Sequence, residues 1–373
     1  MSVEVTPVRG RRDLRAFVEL PFHLHSNAPQ WVPPLKLERY AHLSKRFNVF
    51  FERGEAELFL ARRNGRVCGR ISAQVDHALN RHHDNSWGLF GFLEMVDDAE
   101  VCSALFEAAG EWLRSRARDR IVGPMDFTMN DEVGVLVEGF DLDPMVRQPW
   151  QPPYYSQRIE EAGFGKVIDL LMWHLMVDQR DKVLPIIWDM AEKLEPEHGI
   201  TIRKMSRRRL REDLDAFAEV YNAAWADNWG FVPYSKKDLD GYWAELQLAF
   251  DPNWFMVAEK DGETVGMAIT VPDVNQVLRK MNGSLLPLGW WHFLRKSRTV
   301  NRVRVGFLGV KPEYQHTGVA AGLYAEHYDM AEATPQKGGE MGWILETNEA
   351  MNRGMEAMGG QVVKRYRIYD RAL

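Results

Sequence analysis

Cysteine and metal-binding patterns are scarce in this chain. It has two cysteines among 373 residues, Cys68 and Cys102, and each stands inside an apolar stretch. Two cysteines are too few for a disulfide framework, and we expect both to be reduced thiols in the core. Neither they nor the adjacent His82 and His83 have the spacing of metal ligands, so we expect no metal site.

Basic charge and long apolar runs are also lacking. Lys and Arg total 47 against 53 Asp and Glu, a formal net charge of −6. We therefore expect no general nucleic-acid role, because the electrostatic footprint of such proteins is missing. No run of about 18 apolar residues is present, so the sequence predicts no membrane-spanning helix. The first residues, MSVEVTPVRGRRD, lack the apolar region of a signal peptide, and we expect a cytoplasmic protein.

The chain contains two similar halves. Asn64-Gly65 and Asp261-Gly262 each separate two alternating apolar runs, which predicts a β-hairpin at both places. The hairpin glycines recur after about 196 residues, as two copies of one domain would. We predict an N-terminal domain at residues 1–180, a linker at 181–199 and a C-terminal domain at 200–373.

Residues 303–324, VRVGFLGVKPEYQHTGVAAGLY, organise the second half. The apolar, β-branched beginning predicts a strand, and the end, rich in small residues, predicts a helix. Between them lies a turn with the pattern Q-x-x-G-x-A. Free backbone N–H groups and the helix dipole at such a helix start favour an anion, and glycine lets a diphosphate come close. A strand–turn–helix unit that binds nothing is the alternative.

The turn resembles the acyl-CoA diphosphate loop, Q/R-x-x-G-x-G/A, of the GNAT acyltransferase superfamily. A second segment, GWILETNEAMNRGMEAMGG, follows in the order typical of that superfamily, as a strand, an asparagine and a helix. The resemblance implies an α/β fold of two tandem GNAT-like domains, each a mixed twisted sheet flanked by helices. It also implies an acyl-CoA-dependent N-acyltransferase, with acyl-CoA as the donor substrate and no metal.

The resemblance assigns residues to the donor site as well. In GNAT proteins a β-bulge in the central strand exposes backbone N–H groups that polarise the thioester, and Gly309 favours a bulge here. A regular strand is the alternative. The donor-binding residues implied are Leu308, Gly309 and Val310 in the strand, Gln315, His316, Thr317, Gly318, Val319 and Ala320 in the loop, and Asn348 and Asn352 beside the pantetheine arm.

The first half lacks the loop. Its counterpart at residues 97–102, DDAEVC, has no glycine and carries three carboxylates where a diphosphate would lie. Like charges at that distance oppose binding, so we predict that the first half does not bind acyl-CoA. We expect its acidic residues to cap the following helix instead.

Acyl transfer to an amine needs a base that accepts the amine proton. Glu346, at the end of the strand after the loop, is one candidate, although it would also suit a helix cap together with Asn348. Asp131 and Glu132, in a polar loop of the first half, are the others, and a merely solvated charge pair is the alternative reading for them.

The leaving thiolate needs an acid. GNAT proteins commonly use a tyrosine seven residues after the motif asparagine, and Met355 stands at that position here. Tyr324, Tyr366 or a water is then left for this role, or the thiolate leaves unprotonated. The common mechanism of the family is therefore in doubt for this chain.

A narrower resemblance concerns the acceptor. The segments MNDEVGVLVEGFD and WILETNEAMNR…KRYRIYD resemble a bacterial family of GNAT-type acyltransferases that includes ceramide synthases. The resemblance implies sphingolipid metabolism, with a long-chain acyl group transferred to a lipid-like amine such as a sphingoid base. The alternatives are a small-molecule or peptide N-acetyltransferase that uses acetyl-CoA, and a non-catalytic acyl-CoA-binding module.

Three aromatic or apolar segments bear on that acceptor. Residues 222–234 and 149–155 are rich in aromatic and amide groups, which indicates either an acceptor site or core packing. Residues 285–294, LLPLGWWHFL, precede a basic cluster, a pattern that fits peripheral contact with the inner face of an anionic membrane. A connection packed on its own core, with solvated basic residues, is the alternative. The basic residues are Arg295, Lys296, Arg298, Arg302 and Arg304.

Overall fold

The computed structural model describes residues 2–226, 228–234, 237–238, 240 and 250–373. Within them the strands are β1 Glu4–Pro7, β2 Gly54–Arg63, β3 Arg66–Asp76, β4 Trp87–Met95, β5 Arg120–Gly123, β6 Val135–Glu138, β7 Gly165–Met176, β8 Ile200–Lys204, β9 Phe255–Lys260, β10 Glu263–Pro272, β11 Val303–Val310, β12 Gly338–Leu345 and β13 Gln361–Ala372. The α-helices are α1 Gly10–Leu24, α2 Lys36–His42, α3 Phe50–Arg53, α4 His77–His83, α5 Ala99–Arg114, α6 Tyr154–Glu161, α7 Pro185–His198, α8 Leu210–Ala224, α9 Asn275–Met281, α10 Gly289–Leu294, α11 Lys296–Thr299, α12 Val319–Ala333 and α13 Glu349–Ala357, with 3₁₀ turns at Val177–Lys182 and Pro312–Thr317.

The same order of elements occurs twice along the chain. The series β1, α1, β2, β3, β4, α5, β5, α6, β7 corresponds to β8, α8, β9, β10, β11, α12, β12, α13, β13. Both predicted hairpins are present, and in each turn both central residues have positive φ: Asn64 and Gly65 in one, Asp261 and Gly262 in the other. Such turns match the twist of the strands that they join. The predicted α/β fold of two repeats is confirmed.

The chain forms two compact units that are discontinuous in sequence. The first comprises Met1–Leu170, Val277–Leu294 and Lys364–Leu373, and the second comprises Leu171–Gln276 and Arg295–Val363. The last strand of the chain therefore contributes mainly to the first unit, and the second half of β7 contributes to the second. The predicted boundaries at residues 180 and 199 stay a prediction about the sequence repeat, since contacts divide the chain differently.

The first unit is a mixed sheet between helices. Its strands lie in the order β1-β2-β3-β4-β5-β13, with β6 paired to β13. Only the β4–β5 neighbours in this order run parallel. Helix α5 packs on one face through Leu105 and Phe106, and α1 packs on the other through Phe17 and Val18.

The second unit has the same layers. Strands β8-β9-β10-β11-β12 follow one another, with the end of β7 beside β12, and β11 and β12 run parallel. Helices α7 and α12 cover one face through Leu194 and Leu323. Helix α8 covers the other face through Phe217 and Tyr221, which pack on Phe307 of β11. The strand–turn–helix segment 303–324 thus lies at the centre of this unit.

Candidate active site

Strands β11 and β12 separate after three residue pairs. On its other edge β11 stays paired with β10 as far as Val310, so the separation opens one side of β11 only. We call the space between residues 306–310 and residues 342–345 the strand gap. The three pairs that close its inner end are Val303–Gly339, Arg304–Glu340 and Val305–Met341.

A bulge in β11 lies where the strand gap begins. The pairing with β10 skips between Ile269 and Thr270, which leaves Gly306 without an opposite residue. Gly306 is exposed, and among the described residues a Cβ built on it would meet only the Ile269 carbonyl oxygen, at 3.8 Å. The bulge predicted at Gly309 is therefore wrong in position by three residues. A Cβ on Gly309 would lie 2.6 Å from the Phe307 ring, so this glycine serves packing.

The first unit has the corresponding glycine. Residues 91–95, GFLEM, match residues 306–310, GFLGV, and the pairing of β4 with β3 also skips, at Phe92 and Leu93 between the pairs Gly91–Ser72 and Glu94–Arg70. Here the space is filled, because a Cβ on Gly91 would clash with the Met125 carbonyl oxygen. The repeated G-F-L pattern is the sequence signal that marks this pair of glycines.

In the first unit the corresponding strands are β4 and β5, which also separate after three residue pairs. The loop after β5 closes the space between them with hydrogen bonds. The Met125 N–H donates to the Phe90 carbonyl at 2.8 Å. The Phe92 N–H donates to Oδ1 of Asp126 at 2.7 Å. Burial, reinforced by the nearby Glu132 carboxylate, raises the pKa of Asp126.

The two candidate carboxylates of the first unit belong to the same closing loop. Glu132 pairs with Arg39. Asp131 is buried, accepts a hydrogen bond from the Thr128 hydroxyl at 2.8 Å, and lies 3.4 Å from the Arg147 guanidinium. Asp131 and Glu132 are therefore not a merely solvated charge pair. Their role as a base stays a prediction.

The helix that follows each gap starts differently. In the first unit Asp98 caps α5, accepting from the N–H groups of Glu100 at 3.0 Å and Val101 at 3.2 Å, and Arg63 pairs with Asp98. The predicted acidic cap is confirmed. In the second unit Gly318 precedes α12, and no side chain among the described residues caps that helix. The first-turn N–H groups of α12 therefore suit an anion.

The loop residues before α12 hold its start in place. The Thr317 hydroxyl donates to the Tyr314 carbonyl at 2.7 Å, and the Gln315 amide lies 3.4 Å from the Val310 carbonyl. Gly318 has φ +88°, which side chains rarely adopt, and a Cβ on it would lie 3.2 Å from Met190 of α7. The missing side chain of Gly318 thus serves the turn and the contact with α7, and the approach of a diphosphate to its backbone stays a prediction.

The other wall of the strand gap ends at Glu346. This residue is half-buried at the end of β12. Asn348 caps α13 by accepting from the Met351 N–H at 3.1 Å, so the cap is made by the asparagine. The Asn352 amide donates to the Leu345 carbonyl at 3.1 Å and accepts from the Trp173 indole at 3.0 Å. Both asparagines thus position the strand end, and their contact with pantetheine stays a prediction.

The candidate acid Tyr324 is a core residue of α12. Only 4% of it is exposed, its hydroxyl lies 3.8 Å from the Met351 sulfur, and burial raises its pKa well above the usual range. The phenol therefore stays protonated near neutral pH, as a general acid requires. Met355, at the usual tyrosine position, is fully buried in the core.

Only some residues of the two aromatic segments are buried, and most of the described ones are half-buried or exposed. Phe231 is 5% exposed and packs on Tyr221, which places it in the core. Trp225 remains half-buried, with its ring 5.3 Å from Phe307. In the first unit Tyr155 is buried, and the Trp150 indole donates to the Phe140 carbonyl at 2.9 Å.

The apolar segment 285–294 is on the surface. Leu286 is 74% exposed, Leu288 66% and Leu294 69%, with Trp290 and Trp291 above 40%. The reading in which these side chains pack on their own core is wrong. No helix within the described part of the chain is long and apolar enough to span a membrane.

The basic cluster after that segment is smaller than its sequence suggests. Arg302 pairs with the buried Asp273 at 2.7 Å, and Arg304 is itself buried, donating to the Gly342 carbonyl. Arg295 and Arg298 remain exposed.

No group of three or more acidic, histidine or cysteine residues that could hold a metal ion occurs among the described residues.

Known proteins resemble the chain over its whole length. The bacterial ceramide synthase of Caulobacter vibrioides is 35% identical, with 100% of this chain and 98% of that protein covered. Protein YghO of Escherichia coli is 33% identical over 98% of this chain and 94% of its own length. The tandem GNAT protein from the clavulanic acid biosynthesis pathway superposes with a TM-score of 0.59 at 13% identity, covering 100% of this chain and 98% of its own, and shows the fold alone.

The family model for the acetyltransferase (GNAT) family matches residues 214–358, which include the strand gap and the start of α12. The open gap thus lies in the part of the chain that the family model describes. The chain belongs to the GNAT acyltransferase family, together with the bacterial ceramide synthase of Caulobacter vibrioides, and is an acyl-CoA-dependent N-acyltransferase.

Proposed function

We propose that the second unit binds a long-chain acyl-CoA in its strand gap and transfers the acyl group to a lipid-like amine such as a sphingoid base. The donor is placed in the second unit because the space beside Gly306 is open, whereas the space beside Gly91 is filled. The likeness to a ceramide synthase supports the lipid acceptor.

The donor lies along β11 in this proposal. Its diphosphate accepts hydrogen bonds from the uncapped first turn of α12, and its pantetheine arm follows the free edge of β11 toward Gly306. Residues 306–310 span about 16 Å at a strand rise of about 3.3 Å per residue, a length suited to an extended arm. Backbone N–H groups beside the bulge at Gly306, rather than those of residues 308–310, polarise the thioester carbonyl in this proposal.

Substitution of the two equivalent glycines tests the donor site. Gly306→Val adds a side chain where the strand gap is open, so we expect acyl-CoA affinity to fall at least about tenfold, by about 1.4 kcal/mol or more, with little change in Tm. Gly91→Ala is the matched control: it meets the Met125 carbonyl, which lowers Tm through a cost of about 1–3 kcal/mol but leaves donor affinity unchanged. Calorimetric titration and thermal unfolding measure both. Wild-type affinity in Gly306→Val would contradict the placement.

Glu346 is the base that we propose for the amine proton. Glu346→Gln keeps the shape of the side chain but removes its basicity, so kcat should fall about 100-fold while donor affinity is retained. Glu349→Gln, at an exposed position on α13, is the control and should behave as wild type. If Asp131→Asn or Glu132→Gln lowers kcat and Glu346→Gln does not, the base belongs to the first unit.

The acceptor class is tested by thiol release from palmitoyl-CoA and acetyl-CoA with a sphingoid base, a small polyamine and a peptide amine. We expect turnover to be highest with palmitoyl-CoA and the sphingoid base. A preference for acetyl-CoA with a water-soluble amine would replace this proposal with a small-molecule or peptide acetyltransferase. Tight donor binding with no turnover of any amine would indicate a binding module.

We also propose that the segment 285–294 contacts the cytoplasmic face of an anionic membrane, with Arg295 and Arg298 beside the lipid headgroups. Replacing Leu286, Leu288 and Leu294 together by Ser should abolish co-sedimentation with phosphatidylglycerol vesicles. Phe47→Ser, at an isolated apolar residue that is 69% exposed, should leave it unchanged. Equal sedimentation of all three proteins would exclude this contact.

A further inference from the structure

An apolar cavity adjoins the inner end of the strand gap in the second unit. It has a volume of about 60 Å³ and lies between α12 and the first residues of β11 and β12. Val305 and Met341, the last residue pair before the strands separate, both line it. The cavity therefore begins one residue before Gly306, which marks the inner end of the strand gap.

The wall of the cavity suits a hydrocarbon chain. Met176, Met341 and Met358 contribute three flexible thioether side chains, which adapt to irregular ligands. His327 also lines it, but both ring nitrogens have partners: Nδ1 donates to the Leu323 carbonyl at 2.6 Å, and Nε2 lies 2.7 Å from the Thr270 hydroxyl. Burial lowers the pKa of His327, which keeps the ring neutral.

We infer that this cavity receives carbons of the donor's acyl chain and thereby sets the chain-length preference of the enzyme. The inference rests on the proposed donor site, because a thioester near Gly306 would place the first acyl carbons at the cavity entrance. One water-sized group needs about 10–15 Å³, so roughly four to six methylene groups fit without movement of the wall. Longer acyl chains fit only if the side chains of Met176, Met341 and Met358 move.

Affinity measurements on the wild-type protein give the first test. Acetyl-, butanoyl-, hexanoyl- and octanoyl-CoA are titrated by calorimetry without acceptor. Each methylene taken out of water corresponds to about fourfold in affinity, so hexanoyl-CoA should bind at least tenfold more tightly than acetyl-CoA. Equal affinities across the series would overturn the inference while leaving the donor site intact. No binding of any acyl-CoA would overturn the donor site itself.

A filled cavity gives the second test. Ala331 of α12 is buried and lines the cavity, whereas Ala333 is exposed on the same helix. Ala331→Leu should remove most of the gain of hexanoyl- over acetyl-CoA and leave acetyl-CoA affinity unchanged, and Ala333→Leu should change neither. A retained hexanoyl gain in a folded Ala331→Leu protein would show that the chain lies elsewhere. The titration of the wild-type protein with acyl-CoAs of increasing length uses no variant. It therefore still tests the inference if Ala331→Leu lowers Tm.

Discussion

The separation of two parallel strands is the feature on which the candidate site depends. Beyond Val305 and Met341 the facing edges of β11 and β12 have no ladder partner in the part of the chain that the structure describes. Backbone N–H and C=O groups at the centre of a domain must be hydrogen-bonded by the chain, by water or by a ligand. A bulge lies at Gly306, and no side chain of the described residues comes within 4 Å of a Cβ built there. The strand gap thus offers backbone groups to a ligand, as the proposed donor site requires.

The first unit shows what happens when the chain itself satisfies such a gap. Met125 and Asp126 take the place that a ligand would occupy, and Asp98 caps the helix that would otherwise receive an anion. Both changes supply an internal partner to a backbone group that, among the described residues, has none in the second unit. In our proposal only the second unit therefore binds the donor.

Apolar groups occur at two unusual places. One is the surface segment around Leu286 and Leu288, where large side chains are exposed at a cost in solvation. The other is the cavity beside Val305, which the close packing of protein interiors would normally fill. Both features suit the lipid substrate that we propose, because a water-soluble substrate needs neither an exposed apolar segment nor an apolar cavity.

The sequence by itself determined the local features. Hairpins at Asn64-Gly65 and Asp261-Gly262, the acidic cap of α5 and the turn before α12 follow from short-range backbone preferences that a few neighbouring residues decide. Only the tertiary structure decided which glycine marks the open gap, that Gly318 faces Met190, that Phe231 is core and that the segment around Leu286 is exposed. These outcomes depend on the elements packed against each residue. Residues far apart in the sequence provide those contacts, and the local pattern of the chain does not reveal them.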